Sequence, residues 1–197
     1  MSPPHASGEV EGVALLTRFS LELERVGGEI VQANGHPEAI SKIIDLVNKQ
    51  PGQLMIVGGD STLTENYYAE RIKEGCPSAP VLPITGDMNV EQLSSAVLAV
   101  ISASSLIAAT GTAVLVTSST QPRSLMLLPE TLIIIARAST ITPNLTACLE
   151  RLSKDPMLRD TSSFTLLTGP SRTADIEKTL VMGVHGPKRV MVIVVEG

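Results

Sequence analysis

Short runs of aliphatic residues alternate with amphipathic segments along the whole chain, and this alternation restricts the possible folds more than any other feature. Leu132–Ala136 and Arg189–Val195 consist almost entirely of aliphatic residues, as strands buried on both faces do. Between Leu145 and Leu152, apolar residues instead recur at the three- and four-residue spacing of one helix face. Repeated alternation of this kind predicts an α/β fold with a mostly parallel sheet and helices on both faces.

The predicted elements follow one another without a linker, an internal repeat or a low-complexity tract. We therefore expect one domain over residues 1–197, with residues 1–10 as a flexible terminus. The predicted strands are Glu29–Gln32, Leu54–Val57, Val81–Ile84, Ala99–Ser102, Thr112–Val116, Leu132–Ala136, Phe164–Thr168 and Arg189–Val195. The predicted helices contain Leu16–Val26, Pro37–Val47, Leu63–Glu74, Glu91–Ala96, Leu145–Leu152 and Thr173–Met182, and Thr62 and Glu65 have the spacing of a capping box.

The stretch from Gln92 to Pro122 contains no charged residue and is long enough to span a bilayer. Its middle, however, carries serines, threonines and Gly111. A polar centre of this kind favours a pair of short buried strands joined by a turn over a membrane helix. The sequence thus argues against membrane insertion.

Charge and cysteine content exclude several classes of function. The net charge of −5 argues against binding to nucleic acid, because neutralising phosphates requires an excess of clustered Lys and Arg. The two cysteines, Cys76 and Cys148, lie far apart, so a thiolate-held zinc or iron–sulfur site is not expected, and no other cofactor is indicated. The first residues carry no basic region like that of a secretory signal, which favours a cytoplasmic location.

The loop that follows the predicted strand Phe164–Thr168 has the composition of an anion site. Gly169 permits a tight turn, Ser171 and Thr173 supply hydroxyls, and Arg172 supplies a forked cation at the start of a predicted helix. The alternative is purely structural: Thr173 caps the helix, and Asp175 complements its dipole. If a ligand binds here, Asp175 orients Arg172 or accepts a hydrogen bond from a substrate hydroxyl.

A second glycine-containing loop, Gly183–Pro187, follows shortly afterwards. Its glycines and proline are first of all turn residues, and Gly186 is also a candidate ligand-binding residue. His185 lies between them, and its pKa range suits proton transfer. We take His185 and Asp175 as the candidate catalytic residues, although most single histidines are structural.

Three further segments are weaker candidates for ligand binding. Thr110, Gly111 and Thr112 offer hydroxyls and amides, or simply form a turn between strands. Arg123 ends the uncharged stretch and is either a surface residue or an anion anchor. The Gly58–Ser61 loop is compatible with phosphate binding, but Gly-Gly-Asp is also common in turns.

These loops resemble those of the LUD domain family, specifically its lactate utilization protein C (LutC/YkgG) group. The resemblance implies a fold like that of the NagB/RpiA/CoA-transferase superfamily. It also implies a bacterial or archaeal cytosolic role, beside iron–sulfur partner proteins, in oxidising L-lactate to pyruvate. Where members of the family usually carry an acidic residue before the Thr-Gly-Thr motif, this chain has Ala109. The motifs that carry the resemblance are Thr110-Gly111-Thr112, Arg123 with Leu127-Leu128-Pro129, Gly169–Glu177 and Gly183–Pro187.

Three functional hypotheses follow. In the first, the chain is a cluster-free component of a lactate-oxidising system that binds a small anionic ligand, a carboxylate or a phosphate. In the second, it is an independent enzyme acting on a sugar phosphate, a CoA thioester or a folate, which rests on fold-level analogy. In the third, it is an assembly subunit without a working pocket. The sequence leaves turnover and oligomeric state open, a homo-oligomer included.

Overall fold

The computed structural model describes residues 5–49, 51–155, 163–174, 180–182 and 186–196. The strands within these ranges are β1 Glu29–Ala33, β2 Met55–Val57, β3 Val81–Pro83, β4 Leu98–Ser102, β5 Ser105–Ile107, β6 Thr112–Val116, β7 Thr131–Arg137, β8 Ile141–Thr142, β9 Phe164–Leu167, β10 Arg172–Ala174, β11 Leu180–Met182 and β12 Arg189–Val195. The α-helices are α1 His5–Arg25, α2 His36–Asn48, α3 Ser61–Thr64, α4 Tyr68–Gly75, α5 Val90–Ser94, α6 Arg123–Leu127 and α7 Leu145–Ser153.

A six-stranded sheet forms the centre of the fold, with strand order β1-β12-β7-β4-β2-β3. Every neighbouring pair in this sheet runs parallel, which confirms the predicted α/β class. Because the strands are parallel, their carboxyl ends meet at one edge of the sheet and their amino ends at the other. Loops that follow strands are therefore separated from loops that precede them.

Alternate residues of the central strands enter two different cores, as strand geometry requires. On one face, Val57 and Ile133 pack with residues of α2, α3 and α4. On the other face, Ile56 and Ile134 pack with α1, α5, α6 and a second sheet. Helices thus cover both faces of the central sheet, and its strands are apolar on both sides.

The second sheet has four strands in the order β8-β5-β6-β9 and was not foreseen from the sequence. The expected strand pair within the uncharged stretch is divided between the two sheets. Leu98–Ser102 lies in the central sheet, whereas Thr112–Val116 pairs antiparallel with Ser105–Ile107, a strand that the sequence analysis missed. Within the part of the chain that the structure describes, no helix is long and apolar enough to cross a membrane.

The helix expected over Thr173–Met182 is wrong. Arg172–Ala174 and Leu180–Met182 are strands instead, and they pair antiparallel with each other. β-Branched residues, Thr173 and Val181, stand directly opposite each other in this pair, which suits an extended backbone. The Gly169 loop therefore leads into a strand and not into a helix N-terminus.

Two other helix boundaries differ from the expected ones. The first helix begins at His5, within the segment expected to be flexible. The helix expected over Leu63–Glu74 is divided in two, and Tyr67 between the halves has a left-handed φ of 55°. The residue that caps its first part is Asp60, and not the expected Thr62.

Candidate functional site

A cleft of about 740 Å³ opens at the carboxyl edge of the central sheet. It lies where the chain leaves two neighbouring strands in opposite directions: β2 leads to α3 on one face of the sheet, and β4 leads to β5 on the other. Ligands of open α/β sheets bind at such a point. The cleft is lined by residues 59–62 after β2, 102–104 after β4, 116–121 after β6, and the ends of β7 and α7.

Asp60 lies on the cleft wall directly after β2. One of its carboxylate oxygens accepts a hydrogen bond from the backbone N–H of Leu63 at 3.0 Å, which caps α3. Its other oxygen accepts a hydrogen bond from the hydroxyl of Ser102, at the end of β4. The Asp60 side chain is therefore held between the two strands that define the cleft.

Burial raises the pKa of the Asp60 carboxyl above its ordinary value of 3.8. The Leu63 N–H bond and the positive charge of Arg137 act in the opposite direction but do not cancel the effect of burial, and the charge of Glu65 adds to it. An acid with a raised pKa is one kind of group that functional sites contain.

Gln121 lines the cleft and connects the ends of β4 and β6 by hydrogen bonds. It is buried, with only 3 % of its surface exposed. Its side-chain oxygen accepts from the backbone N–H of Ser102 at 3.0 Å, and its amide nitrogen donates to the Ser102 carbonyl at 3.0 Å. The same nitrogen donates to the Val116 carbonyl at 3.3 Å. Because β2 ends opposite Val100, Ser102 has no strand partner on that side, and the Gln121 amide takes the place of a neighbouring peptide.

Two arginines supply positive charge to the cleft. Arg137 is the last residue of β7 and is exposed, and among the described residues its guanidinium makes no hydrogen bond or ion pair. Arg151, on α7, donates to the Ser104 carbonyl at 2.7 Å. Within the described part of the chain, Arg137 is thus available to bind a ligand oxygen, whereas Arg151 already donates one hydrogen bond.

Behind Arg137, the ring of His36 lies 2.9 Å from the hydroxyl of Tyr68, measured from Nδ1. Burial, and secondarily the charge of Arg137, lower the pKa of His36. Burial, and secondarily the charge of Asp60, raise the pKa of Tyr68. Both groups are therefore held in their neutral forms. Among the described residues that line the cleft, the ionisable side chains are Asp60, Arg137, Arg151 and Asp155.

Hydroxyl groups form the remaining wall of the cleft, in the loop after β6. The Ser118 and Thr120 hydroxyl oxygens lie 3.2 Å apart, and both residues line the cleft together with Ser119. The Thr117 hydroxyl is buried and has no hydrogen-bond partner among the described residues. This wall offers small donors and acceptors, and none of the described residues that line the cleft is aromatic.

The glycine-containing loops singled out from the sequence do come together, but at the amino edge of the sheet. The backbone N–H of Ser171 donates to the Pro187 carbonyl at 2.8 Å, and Gly186 lies against the Ser171 side chain. Pro187 precedes β12, so this contact lies at the opposite end of the sheet from the cleft. Arg172 is exposed and lies beside Gly27, which precedes β1.

The hydroxyl oxygens of Thr110 and Thr112 are 2.7 Å apart and share a hydrogen bond. The Thr112 hydroxyl is also hydrogen-bonded to the Thr168 hydroxyl, at 2.7 Å. Gly111, between them, has φ +62° and lies against the backbone of α1. This turn stands at the amino end of β6, whereas the cleft lies at the carboxyl end of the same strand.

The remaining candidates are dispersed. Gly169 is buried against Val26. Thr173 lies within β10, and Arg123 is an exposed residue at the start of α6 that does not line the cleft. The proposed catalytic residues Asp175 and His185 lie outside the described residues. Binding at the amino edge stays a prediction.

Comparison with known proteins identifies the family. The sequence matches the LUD domain over residues 16–195. The chain belongs to the LUD domain family. YkgG of Escherichia coli (strain K12), an uncharacterised protein, is 33% identical over 161 residues, which cover 81% of this chain and 70% of YkgG.

Two similar LUD relatives carry the name lactate utilization protein C. The protein from Geobacillus kaustophilus is 35% identical over 73% of this chain and 63% of its own length. The protein from Bacillus licheniformis is 40% identical over 56% of this chain, and the match spans 47% of that protein. The chain therefore spans about half to two thirds of the length of these named relatives.

A solved structure has the same fold as this LUD domain chain. It is a DUF162 family protein from Deinococcus radiodurans, with a TM-score of 0.66 over 93% of this chain and 98% of that chain. At 21% identity, the similarity concerns the fold alone.

The sequence analysis missed Arg137, Arg151 and Gln121 and gave the Asp60 loop little weight. A usable signal was present, because Ser102 ends a predicted strand, Arg137 directly follows one, and Asp60 lies three residues after one. The carboxyl ends of strands are where α/β sheets bind ligands, so all three residues were candidates for ligand binding on the same grounds as the Gly169 loop. Arg151 and Gln121 carry no such signal, because only the tertiary packing brings them to the cleft.

Replacing Asp60 with asparagine is expected to raise the melting temperature at neutral pH by about 2–4 °C, equivalent to roughly 1 kcal/mol. Asparagine is also an N-cap residue, and it has no charge to bury. Because the folded-state pKa of Asp60 lies above its unfolded value, ionisation destabilises the fold as pH rises through the folded pKa. The gain should therefore shrink as pH falls through that pKa. Thermal melts of both proteins between about pH 4 and pH 8 test this, and a gain independent of pH contradicts it.

Proposed function

We propose that this LUD domain chain is a LutC-like, cluster-free component of a system that oxidises L-lactate to pyruvate. Its part in that system is to bind a small carboxylate in the cleft at the carboxyl edge of the central sheet. The names of its relatives support the pathway, and the exposed guanidinium of Arg137 in the cleft supports the ligand. Removal of two electrons from lactate requires an acceptor, for which we propose iron–sulfur partner proteins.

The observation that carries the proposal is the open guanidinium of Arg137. It lies at the end of β7, in the cleft where β2 and β4 lead to opposite faces of the sheet. It has no hydrogen-bond partner among the described residues. A guanidinium binds a carboxylate through two parallel hydrogen bonds, which orients the ligand as well as holding it. A rigid strand end is a suitable place for such an anchor.

The loop Gly169–Asp175 remains an alternative anion site, with Arg172 as its cation. Arg123 is a separate candidate, because it lies two residues after Gln121 of the cleft wall. Arg172 is also exposed, so charge alone does not distinguish the two places. The cleft has the stronger support, because it combines a cation with a carboxylate and several hydroxyls in one concave space.

The experiment is a thermal-shift titration of the pure protein with L-lactate and pyruvate, in wild type and Arg137→Gln. A ligand present at ten times its dissociation constant stabilises a protein by about 1.4 kcal/mol, which corresponds to roughly 3–6 °C at this chain length. We expect this shift in wild type and its loss, by tenfold or more in affinity, in Arg137→Gln. Isothermal titration then gives the dissociation constants.

Three arginine variants complete the design. Arg71→Gln is the matched control, because Arg71 is exposed on α4 away from the cleft, and the shift should persist in it. Arg172→Ala tests the alternative site: loss of the shift in this variant, with retention in Arg137→Gln, moves the site to the amino edge. Arg123→Gln tests separately whether Arg123 is an anion anchor. No shift with either acid contradicts carboxylate binding by the isolated chain. A shift with phosphate esters or CoA esters alone favours the independent enzyme.

A further inference from the structure

Two groups of opposite hydrogen-bonding character share the cleft. Arg137 can only donate hydrogen bonds, and an ionised Asp60 can only accept them. Both side chains line the same cleft of about 740 Å³. A ligand anchored by its carboxylate on Arg137 can therefore place its neighbouring atoms towards Asp60 within that space.

We infer that Asp60 is the acceptor for the hydroxyl next to the carboxylate of the ligand, and that the cleft thereby selects 2-hydroxy acids over 2-oxo acids. This inference rests on the proposed carboxylate binding at Arg137. A 2-hydroxyl group can donate a hydrogen bond to an Asp60 oxygen. A 2-oxo group has no proton to donate, so it forms no hydrogen bond with the carboxylate and its lone pairs repel it. In a system that converts one acid into the other, such a site holds the substrate and releases the product.

The existing hydrogen bonds of Asp60 orient its carboxylate but do not occupy all of its acceptor positions. Leu63 and Ser102 each donate one hydrogen bond, one to each oxygen. A carboxylate has about four acceptor positions, so a lone pair remains for a ligand. Because the backbone cap and the Ser102 hydroxyl fix the side chain before any ligand arrives, little ordering is needed on binding.

The discriminating variant is Asp60→Asn. Asparagine keeps the same shape and the cap on the Leu63 N–H, and its amide group donates to Ser102 or to the cleft. This amide can donate to a 2-oxo group, so the preference for the two acids should reverse. Propionate, which lacks an oxygen at this carbon, is the matched ligand for both proteins.

Isothermal titration of lactate, pyruvate and propionate at about pH 8 gives the expected order in each protein. Wild type should bind lactate about tenfold more tightly than pyruvate, the effect of one hydrogen bond to a charged group. In Asp60→Asn, pyruvate should bind at least as tightly as lactate and more tightly than propionate. Ser102→Ala, which frees one more lone pair of Asp60, should keep the wild-type order, and it serves if Asp60→Asn does not fold.

The outcomes separate this inference from the proposal beneath it. If no acid binds, or if binding survives in Arg137→Gln, the proposed carboxylate site itself fails. If both acids bind through Arg137 with equal affinity in wild type, and Asp60→Asn leaves their ratio unchanged, the proposed function stands and the role of Asp60 is overturned. A purely structural role for Asp60 would lower all affinities together without reversing the order.

Discussion

Replacing Gly111 with alanine is expected to lower the free energy of unfolding by about 3 kcal/mol or more. Gly111 has φ +62°, a conformation that costs a side-chain-bearing residue about 1–2 kcal/mol. A Cβ added there would also overlap the backbone nitrogen of Leu23 and lie 2.6 Å from the carbonyl carbon of Glu22. Because these are backbone atoms of a helix, no rotamer change relieves the overlap. Urea unfolding followed by circular dichroism measures the loss.

Gly52→Ala is the matched control for this substitution. Gly52 has a similar positive φ of 81°, but a Cβ there meets no atom within 4 Å. Its alanine variant should therefore lose only the conformational part, about 1–2 kcal/mol. Equal losses in the two variants would mean that α1 and the β5–β6 turn do not touch as the structure has them. The comparison isolates the contact of α1 with the second sheet.

The Thr-Gly-Thr motif has a structural explanation in this turn. The glycine lets the turn approach α1, and the flanking hydroxyls of Thr110 and Thr112 bond to each other. Both features are explained by packing. Ala109 belongs to the same turn, with its N–H donating to the Pro143 carbonyl at 3.1 Å, and it does not line the cleft.

Replacing Gln121 with alanine is expected to cost about 3 kcal/mol, or roughly 6–12 °C in melting temperature. The substitution leaves the buried N–H and carbonyl of Ser102 without partners, and each such group costs about 1–3 kcal/mol. It also removes the support of the Asp60–Ser102 pair, so lactate affinity should fall in the fraction that remains folded. Differential scanning calorimetry and isothermal titration measure the two effects.

Two further variants separate the causes of this loss. Gln121→Met keeps most of the volume while removing the hydrogen bonds, so a large loss in it assigns the effect to the unpaired backbone. Gln32→Ala changes an exposed glutamine of β1, and its stability should stay within about 0.5 kcal/mol of wild type. If Gln121→Met is as stable as wild type, the Gln121 amide does not serve as the neighbour of Ser102.

The local sequence pattern was sufficient to predict features that depend on a single strand or helix. The apolar run Leu132–Ala136 lies wholly within β7, and Gly27 ends the first helix with a φ of 85°. Buried strands need apolar residues on both faces, and helix ends need a left-handed residue, so both features are visible in neighbouring residues alone. The site depended on more distant relations, because Arg137 ends β7, Ser102 ends β4, and Asp60 lies between β2 and α3.

By itself, the sequence determined the fold class, most strand and helix positions, and the family resemblance, since each rests on residues close together in the chain. Only the tertiary structure decided the strand order, and with it the placement of β2 beside β4 that opens the cleft. It also decided that Arg172–Ala174 pairs with Leu180–Met182 instead of continuing as a helix. Several strands of similar apolar character could pair with one another, and they lie far apart in the sequence. Their order is determined by which pairing buries both faces of the sheet.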